Sequence, residues 1–259
     1  MNITKIDWTD RSWNPATGCL YKCPYCYARN QARRFKGYDT ALSPDLSMRR
    51  IVNDKHTIMF ELNARQRRTT KKGKIVTATF PFNFDPTFHR YRLDEPQHYK
   101  KPQNIFVCSM ADLFGYWVPN NWIEQVFKAC MKAPQHRYLF LTKCPSRYVK
   151  ICDMLPKGDN FWFGTSITNQ ETPHYWSDLR KTFISIEPLL DGFYKSDSEI
   201  WADWVIIGAE TGNRKGRVIP KREWIQNILD KCREQNVPVF MKDSLEDIWG
   251  ETLIQEYPW

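Results

Sequence analysis

The sequence lacks a long apolar run. Asn2-Ile3-Thr4-Lys5-Ile6-Asp7 after Met1 is no secretory signal, and no stretch approaches the roughly 20 apolar residues of a membrane helix. A cytoplasmic protein is therefore expected. Histidine is scarce, and His56, His89, His98, His136 and His174 form no metal-ligand spacing. A second C-x-x-C pair is also missing, because Cys108, Cys130, Cys144, Cys152 and Cys232 are scattered. That argues against the paired spacing of a zinc site. A disulfide framework does not suit a chain of 259 residues without a secretory signal, so these five are expected as core residues.

Acid is scarce in one window. From Arg49 to Lys74 stand Arg49, Arg50, Lys55, Arg65, Arg67, Arg68, Lys71, Lys72 and Lys74, against only Asp54 and Glu61. The window therefore supplies +7 of the net +9, and the rest of the chain is nearly neutral. So local an excess suggests a polyanion such as nucleic acid; the plainer alternative is a solvated basic loop. Hydrophobic residues at 42% and charged residues at 26% are an ordinary globular balance, whereas 15% aromatics with 11 Trp are high. The Trp excess fits core packing, or stacking on bases where exposed. The length suits a single domain over 1–259, with a basic insertion at about 38–74.

Three thiols stand within eight residues in Thr17-Gly18-Cys19-Leu20-Tyr21-Lys22-Cys23-Pro24-Tyr25-Cys26-Tyr27. Gly18 and Pro24 favour a loop that turns Cys19, Cys23 and Cys26 toward one centre. On an iron–sulfur cube, three thiolates leave one iron open to a substrate or cofactor. Zinc and uninvolved cysteines are the alternatives.

A short strand is expected before Cys19, and strands that read as buried on both faces at Ile75–Phe84, Asn104–Ser109, Tyr138–Thr142, Phe161–Ser166, Phe183–Ile186, Trp204–Gly208 and Pro238–Met241. Helices are expected over Tyr27–Phe35, Asn121–Lys132 and Lys221–Gln235, with some helix at Ile58–Arg68. This β-α alternation predicts a parallel sheet, and eight strands favour a barrel. The strand ends are polar: Asn83, Ser109, Lys143, Ser166, Glu187, Glu210 and Lys242 would form a mouth over an apolar barrel.

The loop C-x-x-x-C-x-x-C with Tyr25 before its third Cys resembles that of the radical S-adenosylmethionine (SAM) enzymes. The segments W-T-D-x-x-W-N-P-x-T-G-C, S-I-E-P-L-L and V-I-I-G-A-E-T-G, among others from Lys5 to about Trp249, are similar to a phage-associated, radical-SAM-like family long known as a domain of unknown function. The resemblance implies a (β/α) barrel, full with eight strands or partial with six, and a [4Fe–4S] cluster on Cys19, Cys23 and Cys26 that holds SAM. It further implies an electron donor such as flavodoxin or ferredoxin and a 5′-deoxyadenosyl radical that abstracts hydrogen from a substrate. Tyr25, Asn83, Ser109, Ser166, Gly208, Glu210 and Lys242 are the candidate cofactor-binding residues, and Glu187, Glu210 and Lys143 the candidate catalytic ones. The leading substrate is a phage DNA base, approached through Arg49, Arg50, Arg65, Arg67, Arg68, Lys71 and Lys72. Base repair, RNA modification and plain nucleic-acid binding around a structural iron–sulfur or zinc site are the alternatives. In a phage-encoded protein the cytoplasm is that of the host cell.

Overall fold

The computed structural model of the chain describes residues 1–34, 48–52, 56–70, 72–193 and 199–259. They form two compact units, one of Met1–Ile3 with Arg11–Arg137 and one of Thr4–Asp10 with Tyr138–Trp259. Among the described residues no helix is long and apolar enough to cross a membrane.

The first unit opens with β1 (Asn2–Ile3), β2 (Arg11–Trp13) and β3 (Ala16–Thr17). Helix α1 (Tyr27–Arg34) follows the cysteine loop and buries Ala28 and Ala32, four residues apart on one face. The basic window is built of strands: β4 (Met48–Val52), β5 (Ile58–Leu62), β6 (Arg67–Thr69) and β7 (Ile75–Thr77). After β8 (Thr87–His89) and β9 (Asn104–Val107), helix α2 (Asn120–Met131) buries Trp122, Ile123, Val126, Phe127 and Cys130 at helical spacing. One sheet of this unit has the order β3-β8-β5-β4, and among the described strands β6 pairs with β7 alone. The helix expected within Ile58–Arg68 is not there. Ile58 to Leu62 instead pairs residue by residue with β4, from Val52↔Ile58 to Met48↔Leu62. Its partner strands outweigh a weak helical pattern.

In the second unit β10 (Arg137–Thr142), β11 (Phe161–Ile167), β12 (Lys181–Ile186), β13 (Val205–Ile207) and β14 (Val239–Met241) lie side by side in that order, all parallel. Every residue of β11 is buried, which explains its unbroken apolar run. Helix α3 (Pro145–Lys150) follows β10, α4 (Arg222–Glu234) follows β13 and α5 (Glu246–Trp249) follows β14. Ile225, Ile228, Leu229 and Cys232 of α4 share a core with Val205, Ile207, Val239 and Met241; each such buried aliphatic side chain contributes about 1.5–3 kcal/mol.

The barrel expectation is overturned. The fold is mixed α/β and mostly parallel, with β1-β2-β9 side by side in the first unit and β10-β11-β12-β13-β14 in the second, and the described residues form no closed barrel. Two features explain this. The C-terminal segment occupies the outer edge of β14: Met241 N–H donates to Ile254 O at 2.7 Å and Glu256 N–H to Val239 O at 2.9 Å. The expected strand Ile75–Phe84 adds no strand to either set, since its one strand, Ile75–Thr77, pairs with β6. Nor is there a helix among the described residues between β11 and β12 to sustain a β-α repeat.

The tryptophans are chiefly core. Trp8, Trp13, Trp117, Trp122, Trp162, Trp204 and Trp249 are buried, whereas Trp176 and Trp201 are exposed and lie with ring centroids 5.1 Å apart. Cys108, Cys130 and Cys232 are buried as expected. Cys144 is half-buried and Cys152 exposed, which corrects the core assignment of those two.

Candidate functional site

The cysteine loop of the first unit is fixed by backbone and by Arg29. Gly18, at φ +87°, donates to Met110 O at 2.9 Å, and a Cβ there would strike the Asp85 carbonyl, so only glycine fits. Arg29 donates to Cys19 O at 2.7 Å and Tyr21 O at 2.8 Å, while its backbone N–H meets Cys26 Sγ at 3.3 Å. Cys19 and Cys26 pack against the apolar cluster of Ala28, Ala32, Phe80, Phe84 and Met110. Burial, and next the charge of Asp112, push the Cys19 thiol up to about 12, so it behaves as a small apolar side chain.

This geometry corrects the metal-centre expectation. Among the described residues no group of three or more Cys, His, Asp or Glu is placed to hold a metal ion, and Cys19, Cys23 and Cys26 are free cysteines. The [4Fe–4S] cluster is withdrawn, and with it SAM, whose binding rested on the open iron. A short C-x-x-x-C-x-x-C spacing brings thiols near one another without obliging them to converge.

Other residues expected around that cofactor keep local bonds. The Ser109 hydroxyl donates to Asn14 Oδ1 at 3.2 Å, and Tyr27 Oη donates to the Ser109 carbonyl at 2.7 Å. Asn83 is exposed in a left-handed turn at φ +54°, and Tyr25 is half-buried.

The second unit brings the strand-end residues together. Lys143, after β10, donates to Ser166 Oγ of β11 at 2.6 Å, and Ser166 donates in turn to the Glu187 carbonyl after β12 at 3.4 Å. Lys242, after β14, forms an ion pair with Glu187 at 2.5 Å; the two side chains are 14% and 29% exposed. Gly208, after β13, makes room for them. A Cβ there would lie 3.0 Å from Lys242 Cδ and 3.3 Å from Glu187 Cγ and Cδ. Beside it Ala209 N–H donates to Ser244 Oγ at 3.0 Å. Glu210 accepts both Arg214 Nε at 2.5 Å and Nη2 at 2.7 Å, and these bonds hold its carboxyl below the usual range. The row lies at the carboxyl ends of parallel strands, where open sheets of this class bind ligands. Its two carboxylates are matched by Lys242 and Arg214.

The basic strands of the first unit are arranged otherwise. Arg49, Arg50, Arg65, Arg67, Lys72 and Lys74 are exposed and Arg68 is half-buried; Lys55 and Lys71, with residues 38–47, lie outside the described residues. Arg65 lies over the Tyr91 ring at 6.0 Å. Glu61, the described acid of the window, is buried: its carboxylate accepts Trp122 Nε1 at 2.6 Å and Arg90 Nη2 at 2.7 Å. Among the described residues no carboxylate pairs with Arg49, Arg50, Arg67, Arg68, Lys72 or Lys74.

Sequence reasoning passed over several residues that organise these regions. Arg29, Arg90 and Ser244 carried no signal, because their partners are distant in the chain or backbone atoms. Arg214 did carry one, a cation four residues after Glu210. His89 was also missed: it is fully buried, 2.9 Å from Thr17 Oγ1 and 3.2 Å from Tyr91 Oη, and burial lowers its pKa well below the ordinary value. It acts as a neutral tie between β8 and the start of the cysteine loop.

No curated protein and no solved structure matches the chain. A family model described as Protein of unknown function (DUF5131) matches residues 3–255, nearly the whole length, and the chain belongs to that family.

Proposed function

We propose that the protein binds nucleic acid through the basic strands of its first unit. The observation that carries this reading is the inward turn of Glu61. With that carboxylate held by Arg90 and Trp122, the exposed charge of the described window is entirely positive. A solvated charge run would be expected to interleave or pair its signs; this one leaves six guanidinium and ammonium groups in water. Such a surface attracts a phosphate backbone, releases its counterions and steers the encounter.

Salt dependence supplies the test. Binding of the full chain to a labelled oligonucleotide should weaken as salt rises, with a logarithmic slope of about −0.9 per phosphate contacted on duplex. Replacing Arg49, Arg50, Arg67, Arg68 and Lys72 by Gln should reduce that slope by up to about 4.5. A wild-type protein that binds no DNA or RNA at low salt, or a variant with unchanged affinity and slope, overturns the proposal.

A further inference from the structure

The segment from Gln66 to Ala78 is a hairpin of a particular kind. Arg67 pairs with Thr77, Arg68 with Val76 and Thr69 with Ile75, and Ala78 N–H donates to Gln66 O at 2.9 Å to close the root. Gln66 and Ala78 are buried at that root, so the base is anchored. The turn is held by Thr70 N–H on Lys74 O at 2.8 Å, Gly73 N–H on Thr70 O at 2.9 Å and Lys74 N–H on Thr70 Oγ1 at 3.1 Å. Gly73 sits at φ +77°, and an added Cβ would meet nothing within 4 Å. Among the described strands β6 and β7 pair only with each other. The hairpin is therefore a two-stranded ribbon with an open tip.

Its two faces differ. Side chains alternate across a strand, and Arg67, Thr69, Ile75 and Thr77 are exposed while Arg68 and Val76, on the other face, are half-buried. The outer face thus carries one guanidinium, two hydroxyls with their methyl groups and an isoleucine that is 64% exposed, and Lys72 and Lys74 add charge toward the tip. Charge alone would serve any polyanion. A narrow ribbon that also presents hydrogen-bonding groups and apolar methyls fits a more specific surface. The major groove of B-form DNA, about 12 Å wide, admits a two-stranded ribbon and displays base-edge donors, acceptors and thymine methyls. The deep, narrow major groove of an RNA duplex does not admit side chains in this way.

Resting on the nucleic-acid reading above, we infer that the hairpin Arg67–Thr77 enters the major groove of duplex DNA. The Lys72 and Lys74 ammonium groups meet phosphates, and Arg67, Thr69, Ile75 and Thr77 face the base edges.

The experiment compares the full chain on a duplex DNA, an RNA duplex of the same sequence and a single strand, at several salt concentrations, with methyl green as a major-groove competitor and netropsin as a minor-groove one. Duplex DNA should bind at least ten-fold more tightly than the RNA duplex, and methyl green but not netropsin should displace the protein. Ile75→Asp and, separately, Arg67→Gln should each weaken duplex DNA binding by about ten-fold, the scale of one base-edge contact, with little effect on the single strand. Both positions are exposed, and an unchanged circular dichroism spectrum would establish that the variants fold. Equal salt-dependent binding to all three nucleic acids, displacement by netropsin alone, or indifference to both substitutions overturns the groove assignment and leaves the nucleic-acid reading standing. Absence of salt-dependent binding to any of them overturns both.

Discussion

The strand-end row of the second unit and the basic strands of the first use the same kinds of side chain to opposite effect. At the strand ends Glu187 is matched by Lys242 and Glu210 by Arg214, within 2.5 Å in each case. In the basic strands the described acid is buried and six of the described cations are exposed. Charge that is matched inside the fold shapes a surface, and charge left in water can recruit a partner. The difference comes from burial of the acid, not from the number of cations.

The sharpest way to break that comparison is to remove the buried acid. Glu61→Ala removes the carboxylate that Arg90 and Trp122 Nε1 share, leaving Arg90 its bond to Gln125 Oε1, and should cost about 3 kcal/mol, the low end for a broken buried pair because the Arg90 side chain is 30% exposed. Urea unfolding measures it. A cost below about 1 kcal/mol would mean that Glu61 is not the pivot of the basic sheet.

Glycine substitutions separate the two regions next. Gly208→Ala places a methyl 3.0 Å from Lys242 Cδ and should destabilise by about 1–2 kcal/mol through crowding, leaving the salt slope of nucleic-acid binding unchanged. Gly73→Ala meets no neighbour, but its φ of +77° is unfavourable to a side chain and the cost should be about 1 kcal/mol. A changed salt slope in Gly208→Ala would show that the strand ends do not stand apart from binding.

Acid should expose the Glu210–Arg214 pair. The Glu210 carboxyl is depressed by its bonds from Arg214, so its contribution is present above the ordinary value of 4.5 and is lost as pH falls below it through the folded value. The wild type should therefore lose stability across that window more steeply than Arg214→Ala, as followed by thermal unfolding at each pH. Parallel curves would dismiss the pair. The smallest effect belongs to Arg49→Gln with Arg50→Gln: exposed, and paired with no carboxylate among the described residues, they should change stability by no more than about 0.5 kcal/mol while lowering DNA affinity.

Much of the second unit was legible in the chain. Runs such as Phe161–Ser166 are apolar because both faces of the strand are covered, and α4 shows its buried Ile225, Ile228, Leu229 and Cys232 at helical spacing. Closure was not legible, since it depends on what occupies the edge of β14, and residues Ile254 to Glu256 carry no pattern that announces an added antiparallel pairing. The first unit was harder. Ile58–Leu62 and Arg67–Thr69 become strands through their neighbours, and a charged strand at a sheet edge has little apolar alternation to display. For the strand ends, the positions of Lys143, Ser166, Glu187, Gly208 and Lys242 followed from where the apolar runs stop; which cation meets which carboxylate is set by sheet order. The cysteine loop misled because spacing reports proximity, while coordination needs convergence.

Among the described strands β4 stands at the end of the order β3-β8-β5-β4, which bears on how copies of this protein behave toward one another. An end strand offers unpaired backbone amides and carbonyls as a template for a foreign strand, and charged side chains are a means of refusing it. Arg49 and Arg50 supply that refusal in the middle of β4. Neutralising them would leave Met-Gln-Gln-Ile-Val along the edge, a segment with β-forming residues and no charge, suited to self-association. The arginines we propose to draw a polyanion would thus also keep the protein dispersed when none is bound, and light scattering of the double variant in its absence would reveal that second role.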